Sequence, residues 1–398
     1  MKRFLFPLIV YCLLPITYCF SQGTWTQKRD FGGTARSAVV AFSIGTKGYI
    51  GTGLFTGVYK DFWQYDQTTN TWSQMADFGG TARFTAVGFA IGSKGYIGIG
   101  GNASAYQYDF WEWNQATNVW IKKANFGGTA RGGAVGFSIG TKGYVGTGFD
   151  GGIWRQDFWE YDPSTDRWTP QVVFLGDPRQ GAVGFSIGTN GYIGLGSNGT
   201  GYLKDFWEWN TAGKIWTQKA NFAGTARALA AGFSIGTKGY VGTGTDASGD
   251  TNDFWEWDQL NNTWSEKARF GGTVRNLSVG LSIGNKGYIG TGYDDISPQT
   301  KDFWEFDPNG NGISETELEN SISIYPNPSL GGKFTITSPQ FTIKSITIYD
   351  VSGKLVYQKT INSKQETVNL NESSGIYFIH LNSEKGIVTK KIILQKEF

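Results

Sequence analysis

The chain has almost none of the residues on which side-chain chemistry most often depends. Among 398 residues there are two cysteines, two methionines and a single histidine. Both cysteines, Cys12 and Cys19, fall within the first 22 residues, so the remainder has no thiol with which to form a disulfide. Between Gly23 and Pro308 there is neither thiol nor imidazole. Nucleophilic triads and thiol catalysis are excluded there, and so are zinc sites of the usual ligand set. Beyond residue 22 no apolar run approaches the ~20 residues of a membrane-spanning helix. Charge of one sign is lacking too. The 35 Lys and Arg fall to 33 once Lys2 and Arg3 are set aside, equal to the 33 Asp and Glu. That balance gives no basis for a nucleic-acid or anionic-membrane surface.

What the chain does contain is glycine, aromatic residues and repetition. Lys2 and Arg3 lead the apolar run Phe4 to Phe20, closed by Ser21-Gln22, which reads as a cleaved secretory signal peptide over residues 1–22. After it come most of the 58 glycines, which suit many short strands joined by tight turns. The run Asp61-Phe62-Trp63-Gln64-Tyr65-Asp66 returns at Asp109, Asp157, Asp205, Asp253 and Asp302. A period of that size signals a repeat architecture. Each unit reads as four strands. In the first, Arg36 to Ile44 and Tyr49 to Gly53 flank the turn Gly45-Thr46-Lys47-Gly48, Asp61 to Asp66 forms the third strand, and the fourth carries Trp72. Short antiparallel strands repeated in this way build the blades of a β-propeller.

Trp25 is a fourth-strand tryptophan with no three strands before it, and Asp302 to Asp307 is a third strand with no tryptophan after Trp304. The two ends are therefore expected to share the last blade, leaving no open edge. The opening Arg, the Gly-Tyr of strand two, the aromatic third strand ending in Asp and the Trp of strand four resemble the kelch repeat of galactose oxidase-like propellers. The resemblance covers residues 24–308 and implies an all-β, six-bladed kelch-type propeller over 23–308. One departure is that the paired glycines are split, as in Gly51-Thr52-Gly53. A copper-radical site of the galactose oxidase kind is excluded, since it needs both His and Cys.

Composition changes after Pro308. Residues 309–320 form a polar linker, and 321–398 alternate β-branched residues with lysine in about seven short strands, which suggests a small Ig-like β-sandwich. Tyr325-Pro326-Asn327-Pro328, Asp350-Val351-Ser352-Gly353-Lys354, Gly375-Ile376-Tyr377-Phe378 and Lys390-Lys391-Ile392-Ile393 resemble the C-terminal sorting domain (type A) of the Bacteroidetes type IX secretion system. That resemblance implies type IX machinery as a partner and passage through the periplasm to the outer-membrane surface or beyond.

The candidate sites follow from where the repeats agree and where they differ. Glu112, Glu160, Glu208, Glu256 and Glu305 share one register, and repetition in successive blades points to structure. Arg36, Arg83, Arg131, Arg179, Arg227 and Arg275 open the units. They form either a cationic ring ready for an anion or pairs with Asp across or between blades; self-repulsion favours pairing. Asp307, Asn309, Asn311 and Glu315 resemble a short calcium loop, against the plainer reading of an Asx-rich turn, and no other cofactor is expected. The loop between strands two and three differs in every blade, and variable loops on a rigid scaffold are where binding resides. Blades one to four bring Phe55, Tyr59, Tyr106, Tyr108, Phe149, Trp154 and Tyr202 to it. Blades five and six bring Asp246, Asp250, Tyr293, Asp294 and Asp295. The expected function is a secreted or cell-surface binding module for a glycan or protein, with an aromatic sector that grips and an acidic sector that selects. The alternatives are a carboxylate-based glycan hydrolase or lyase in the channel and a purely structural adhesion protein.

Overall fold

The computed structural model describes residues 22–294, 299–310, 321–383 and 386–395. The expected signal peptide apart from Gln22, and the expected linker apart from Asn309 and Gly310, lie outside them. Among the described residues, six four-stranded antiparallel sheets repeat one order. In blade one the strands are Val40–Ile44, Lys47–Gly51, Phe62–Asp66 and Thr71–Met75, each paired with the next. The sixth sheet takes its outer strand from the other end of the chain. Thr24–Gln27 lies antiparallel to Phe303–Asp307, with Trp25 opposite Phe306. Each innermost strand touches the innermost strands of both neighbours, and the contacts return from blade six to blade one. This is a closed β-propeller.

The cores lie between blades. Phe62 and Tyr65 point to opposite sides of their strand and are both fully buried, because a neighbouring blade covers each side. One cluster joins Val40, Phe42, Tyr49 and Phe62 to Ile97 and Trp113 of the next blade, and five similar clusters complete the circle. Close approach requires glycine on the receiving side. A Cβ on Gly95 would lie 2.3 Å from Phe42 Cζ, and Gly143, Gly191, Gly239 and Gly287 face Phe89, Phe137, Phe185 and Phe233 in the same way. Phenylalanine knobs thus seat in glycine holes around the ring.

Strand one is shorter than the sequence suggested. Pairing starts at Val40, not Arg36, because Ala38 adopts a left-handed backbone, φ 55°. Strand two stops at Gly51 for a similar reason, since Thr52 has φ 62°.

Residues 321–395 form a second β unit of a three-stranded and a five-stranded sheet. Eight strands are described where about seven were expected; one is the two-residue Ser329–Leu330, parallel to the end of Gly386–Gln395. Phe334, Ile336 and Val368 of one sheet meet Ile346, Ile348, Ile379, Leu381 and Ile392 of the other in a separate core.

Candidate functional site

Each blade brings its strand-two-to-three loop and its incoming link to one face of the ring. Isolated bridges between the two, Ser37 to Leu54 in blade one and Gly132 to Phe149 in blade three, hold them together. The six arginines lie beneath this face and are at most 1% exposed. Arg179 donates from Nη1 to Asp205 Oδ1 and from Nη2 to Asp205 Oδ2, both at 2.7 Å, and from Nη1 to Leu195 O at 2.9 Å. The same Asp accepts the indole N–H of Trp207 at 2.7 Å. Arg36–Asp61–Trp63, Arg83–Asp109–Trp111, Arg131–Asp157–Trp159, Arg227–Asp253–Trp255 and Arg275–Asp302–Trp304 repeat the unit. Every pair lies within one blade. The cationic ring does not exist, and the partners are not shared between blades: each guanidinium meets its carboxylate in place, because a buried unpaired charge is too costly. Burial would raise the Asp61, Asp109, Asp157, Asp205 and Asp253 carboxyls, but the guanidinium and indole donors outweigh it and hold them below the ordinary value.

Closer to the axis, six residues share the left-handed conformation: Ala38, Thr85, Gly133, Gly181, Leu229 and Leu277, with φ between 49° and 64°. Their backbones bond in a circle. Ala38 N–H donates to Leu277 O at 3.0 Å, Leu277 to Leu229 at 3.0 Å and Leu229 to Gly181 at 2.8 Å. Gly181 donates to Gly133 at 2.9 Å, Gly133 to Thr85 at 3.1 Å and Thr85 back to Ala38 at 3.0 Å. Every donor points the same way round, so the ring ties each blade to the next at the rim of the loop face.

The aromatic residues of the loops are not equivalent. Tyr59 lies on Arg36, with its ring centroid 4.0 Å from the guanidinium carbon, and is engaged in packing. Phe55 and Tyr108 stand exposed. Tyr106, Phe149 and Trp154 form a row across two blades. Tyr106 meets Phe149 edge-on at 6.4 Å, and Phe149 packs against Trp154 at 5.1 Å. A Cβ on Gly199 of blade four would lie 3.1 Å from the Trp154 indole, so the row reaches a third blade. Tyr202 stands exposed on the short hairpin Ser197–Asn198 and Gly201–Tyr202 beyond it.

Asp150 and Arg155 fix this loop, and the sequence reading missed both. Asp150 accepts from Ile153 N at 2.8 Å, Gly152 N at 3.2 Å and Arg155 Nε at 2.7 Å. Burial raises its carboxyl, but these donors win and hold it at about 2. Asp150-Gly151-Gly152 is the turn signal that would have found it.

The described residues of the acidic sector make bonds inside the ring. Asp250 accepts both Asn276 Nδ2 bonds, at 2.8 and 3.0 Å, and the Thr245 hydroxyl. Asp246 accepts from Thr225 Oγ1 at 2.6 Å and Ser248 N at 2.7 Å. Asp294 is fully buried, Tyr293 is half-buried in a bridge to Asn276, and Asp295 lies outside the described residues. Asp250 thus ties blade five to the incoming link of blade six, while the bonds of Asp246 stay within blade five. In strand three, Glu112, Glu160, Glu208, Glu256 and Glu305 each accept a buried tyrosine hydroxyl, as Tyr192 donates to Glu208 at 2.6 Å. Asp307 pairs with Lys286 and caps Asn309 N at 3.0 Å, an Asx turn; Asn311 and Glu315 of the calcium reading fall outside the described residues.

Blade three departs from the repeat a second time. Its outgoing link reads Val172-Val173-Phe174-Leu175 where blades one and two have Ala76-Asp77-Phe78-Gly79 and Ala124-Asn125-Phe126-Gly127. Val172, Val173 and Leu175 are 47%, 49% and 54% exposed. Phe174 N bonds Gln156 O at 2.9 Å and Arg179 N bonds Arg155 O at 3.3 Å, so this link runs beside the Trp154 loop.

Residues 323–395 match the family described as the secretion system C-terminal sorting domain. That match assigns the chain to type IX export, to the cell surface or the extracellular space, and gives it the secretion machinery as a partner. No curated protein matches the chain. Among solved structures it is similar to one titled "Structure of YjhT", a β-propeller protein, at 17% identity with a TM-score of 0.61. The likeness covers 69% of this chain and 96% of that one, and it shows the fold. Among the described residues no helix is long and apolar enough to cross a membrane.

Proposed function

We propose that the chain is a binding module, exported to the cell surface or beyond, that holds a glycan or a protein surface on the loops of blades two to four. The observation that carries this reading is the row Tyr106–Phe149–Trp154, which crosses from blade two to the edge of blade four. Rigid aromatic side chains provide large contact area at low entropic cost and suit sugar faces as well as protein side chains. The Asp150–Arg155 staple holds the loop in place before any ligand arrives, so little ordering remains to oppose binding. Val172, Val173 and Leu175 add exposed apolar side chains on the link that runs beside this loop. With Asp246 and Asp250 engaged in internal bonds, selectivity belongs to the shape of the aromatic row.

A glycan-array and surface-protein screen of residues 22–310 identifies the ligand, and Trp154→Ala then tests the site. The indole lies on Phe149 and against Gly199, so its loss will loosen a surface loop without opening an interblade core. Affinity is expected to fall by about 2 kcal/mol while the melting temperature moves little. Unchanged affinity with a lowered melting temperature would make Trp154 a packing residue and place the site elsewhere.

A further inference from the structure

The sorting unit has two β-sheets, and only one face of each is used in its own core. The strand Gly375–Ser383 alternates strictly: Tyr377, Ile379 and Leu381 point into the core, while Ile376, Phe378 and His380 point away. The register places like faces side by side. Phe378 is opposite Lys391 on one side and Tyr349 on the other, Ile376 is opposite Ile393, and Tyr349 is opposite Leu355. Directly opposed residues share a face where the register is regular; the Tyr349–Leu355 pair lies across a bulge, so Leu355 is placed by its exposure at the end of the row. The outer face of the five-stranded sheet therefore carries Ile376, Ile393, Phe378, Tyr349 and Leu355 across four adjacent strands. Ile376 is 42%, Phe378 40% and Leu355 47% exposed. Tyr349 also packs on His380 at 5.0 Å, which flattens the row. Farther along the same face the residues become Thr347, Thr389 and Gln358. The apolar half is thus confined to one end, with Lys391 at its margin and no carboxylate among its residues.

One of the two margins of this sheet, along Gly386–Gln395, is blocked, while Leu355–Ser363 forms the other. Asn327 of the Tyr-Pro-Asn-Pro motif donates Nδ2 to Lys391 O at 2.8 Å and accepts Ile393 N at 3.0 Å. Its amide stands where a neighbouring strand's peptide would, so a partner cannot add a strand along that stretch, and beside Ile376 and Phe378 the face is what it offers.

We propose that this apolar end, centred on Phe378 and Ile376, is the surface by which the secretion machinery holds the sorting unit. The inference rests on the export role that the match to residues 323–395 supplies. A unit that works by being recognised needs a recognised surface, and this is the apolar one that its own fold leaves uncovered. The partner it fits is a protein surface that is itself apolar and carries a carboxylate opposite Lys391.

The test uses the full chain expressed in a bacterium with type IX machinery, with periplasmic, surface and medium fractions quantified. Ile376→Ser with Phe378→Ser should lower delivery at least tenfold and leave the protein in the periplasm. Leu355→Ser, on a different strand of the same row, should lower it severalfold. Gln358→Ala on the polar half should deliver normally, and far-UV circular dichroism of the purified chains should be unchanged throughout. Normal delivery of folded Ile376→Ser/Phe378→Ser and Leu355→Ser proteins, while removal of residues 321–398 blocks export, overturns the surface and leaves the export role standing. Normal delivery without residues 321–398 overturns both. If the double variant is misfolded, Leu355→Ser alone decides.

Discussion

The Arg–Asp–Trp unit concentrates more of the fold in fewer atoms than any other feature. In blade three the Arg131 guanidinium donates through Nε to Thr129 O and through Nη1 to Thr147 O, both at 3.0 Å, and it faces Asp157 and the Phe126 ring. Thr147 accepts that bond from a left-handed backbone, φ 60°, so the arginine also holds a strained turn. Arg131→Ala is expected to cost about 3–5 kcal/mol, because it leaves Asp157 largely buried and unpaired, and chemical denaturation measures the loss. Stability within about 0.5 kcal/mol of the parent would mean that the arginine serves a ligand and not the blade. The same units set the response to acid. Asp61, Asp109, Asp157, Asp205 and Asp253 all hold their protons less tightly when folded than when unfolded. Their stabilisation is complete above the unfolded value of about 3.9 and is lost as pH falls through the lower folded values. Melting temperature should be flat from pH 7 down to about 5 and then drop steeply. A flat profile down to pH 2 would contradict the pairing.

At the scale of the element, alternation and period were enough to find the blades, since Asp-Phe-Trp and Gly-Tyr recur with every turn of the ring. The arginine partners were legible because charge repulsion leaves few alternatives. The left-handed ring was not, because Ala38, Thr85, Gly133, Gly181, Leu229 and Leu277 share no chemistry; only the meeting of blades at the axis imposes their backbone. Asp250 was misread for a related reason. Its partner Asn276 lies in the next blade, where one repeat read alone does not reveal it. The Val172–Leu175 link differs from its counterparts Ala76–Gly79 and Ala124–Gly127 in the sequence itself, so this departure was legible by laying one repeat over another. The outer strand of blade six belongs to this scale as well. Trp25 packs on Phe254, Phe270 and Phe306 and donates to Ala268 O at 3.0 Å. Deleting Gly23 to Asp30 should lower the melting temperature by about 10 °C or more, since it strips the partner from Phe303–Asp307 and opens an interblade core. Unchanged melting would mean that the ring closes without its first strand.

Over the whole molecule, sameness and difference are divided between tasks. What the blades repeat, the Arg–Asp–Trp unit in all six and the Phe–Gly knobs and Tyr–Glu bonds in five, builds a closed ring in which each blade is supported from both sides. What one blade changes is free to serve something outside the ring. Blade three changes at Trp154 in its loop and at Val172, Val173 and Leu175 in its link, and backbone bonds run that link beside the loop. The sorting unit adds a separate core and the route out of the cell. The central claim is that repeated residues carry the fold and the departures carry the binding. The most direct measurement is the thermal melt of Val172→Ala/Val173→Asn/Leu175→Ala, which returns the link to residues found in the other blades. Melting within about 2 °C of the parent or above it is predicted, because exposed side chains outside the interblade cores contribute little to stability. A fall of about 10 °C, as large as that expected for loss of the first strand, would contradict the claim and make these residues part of the fold.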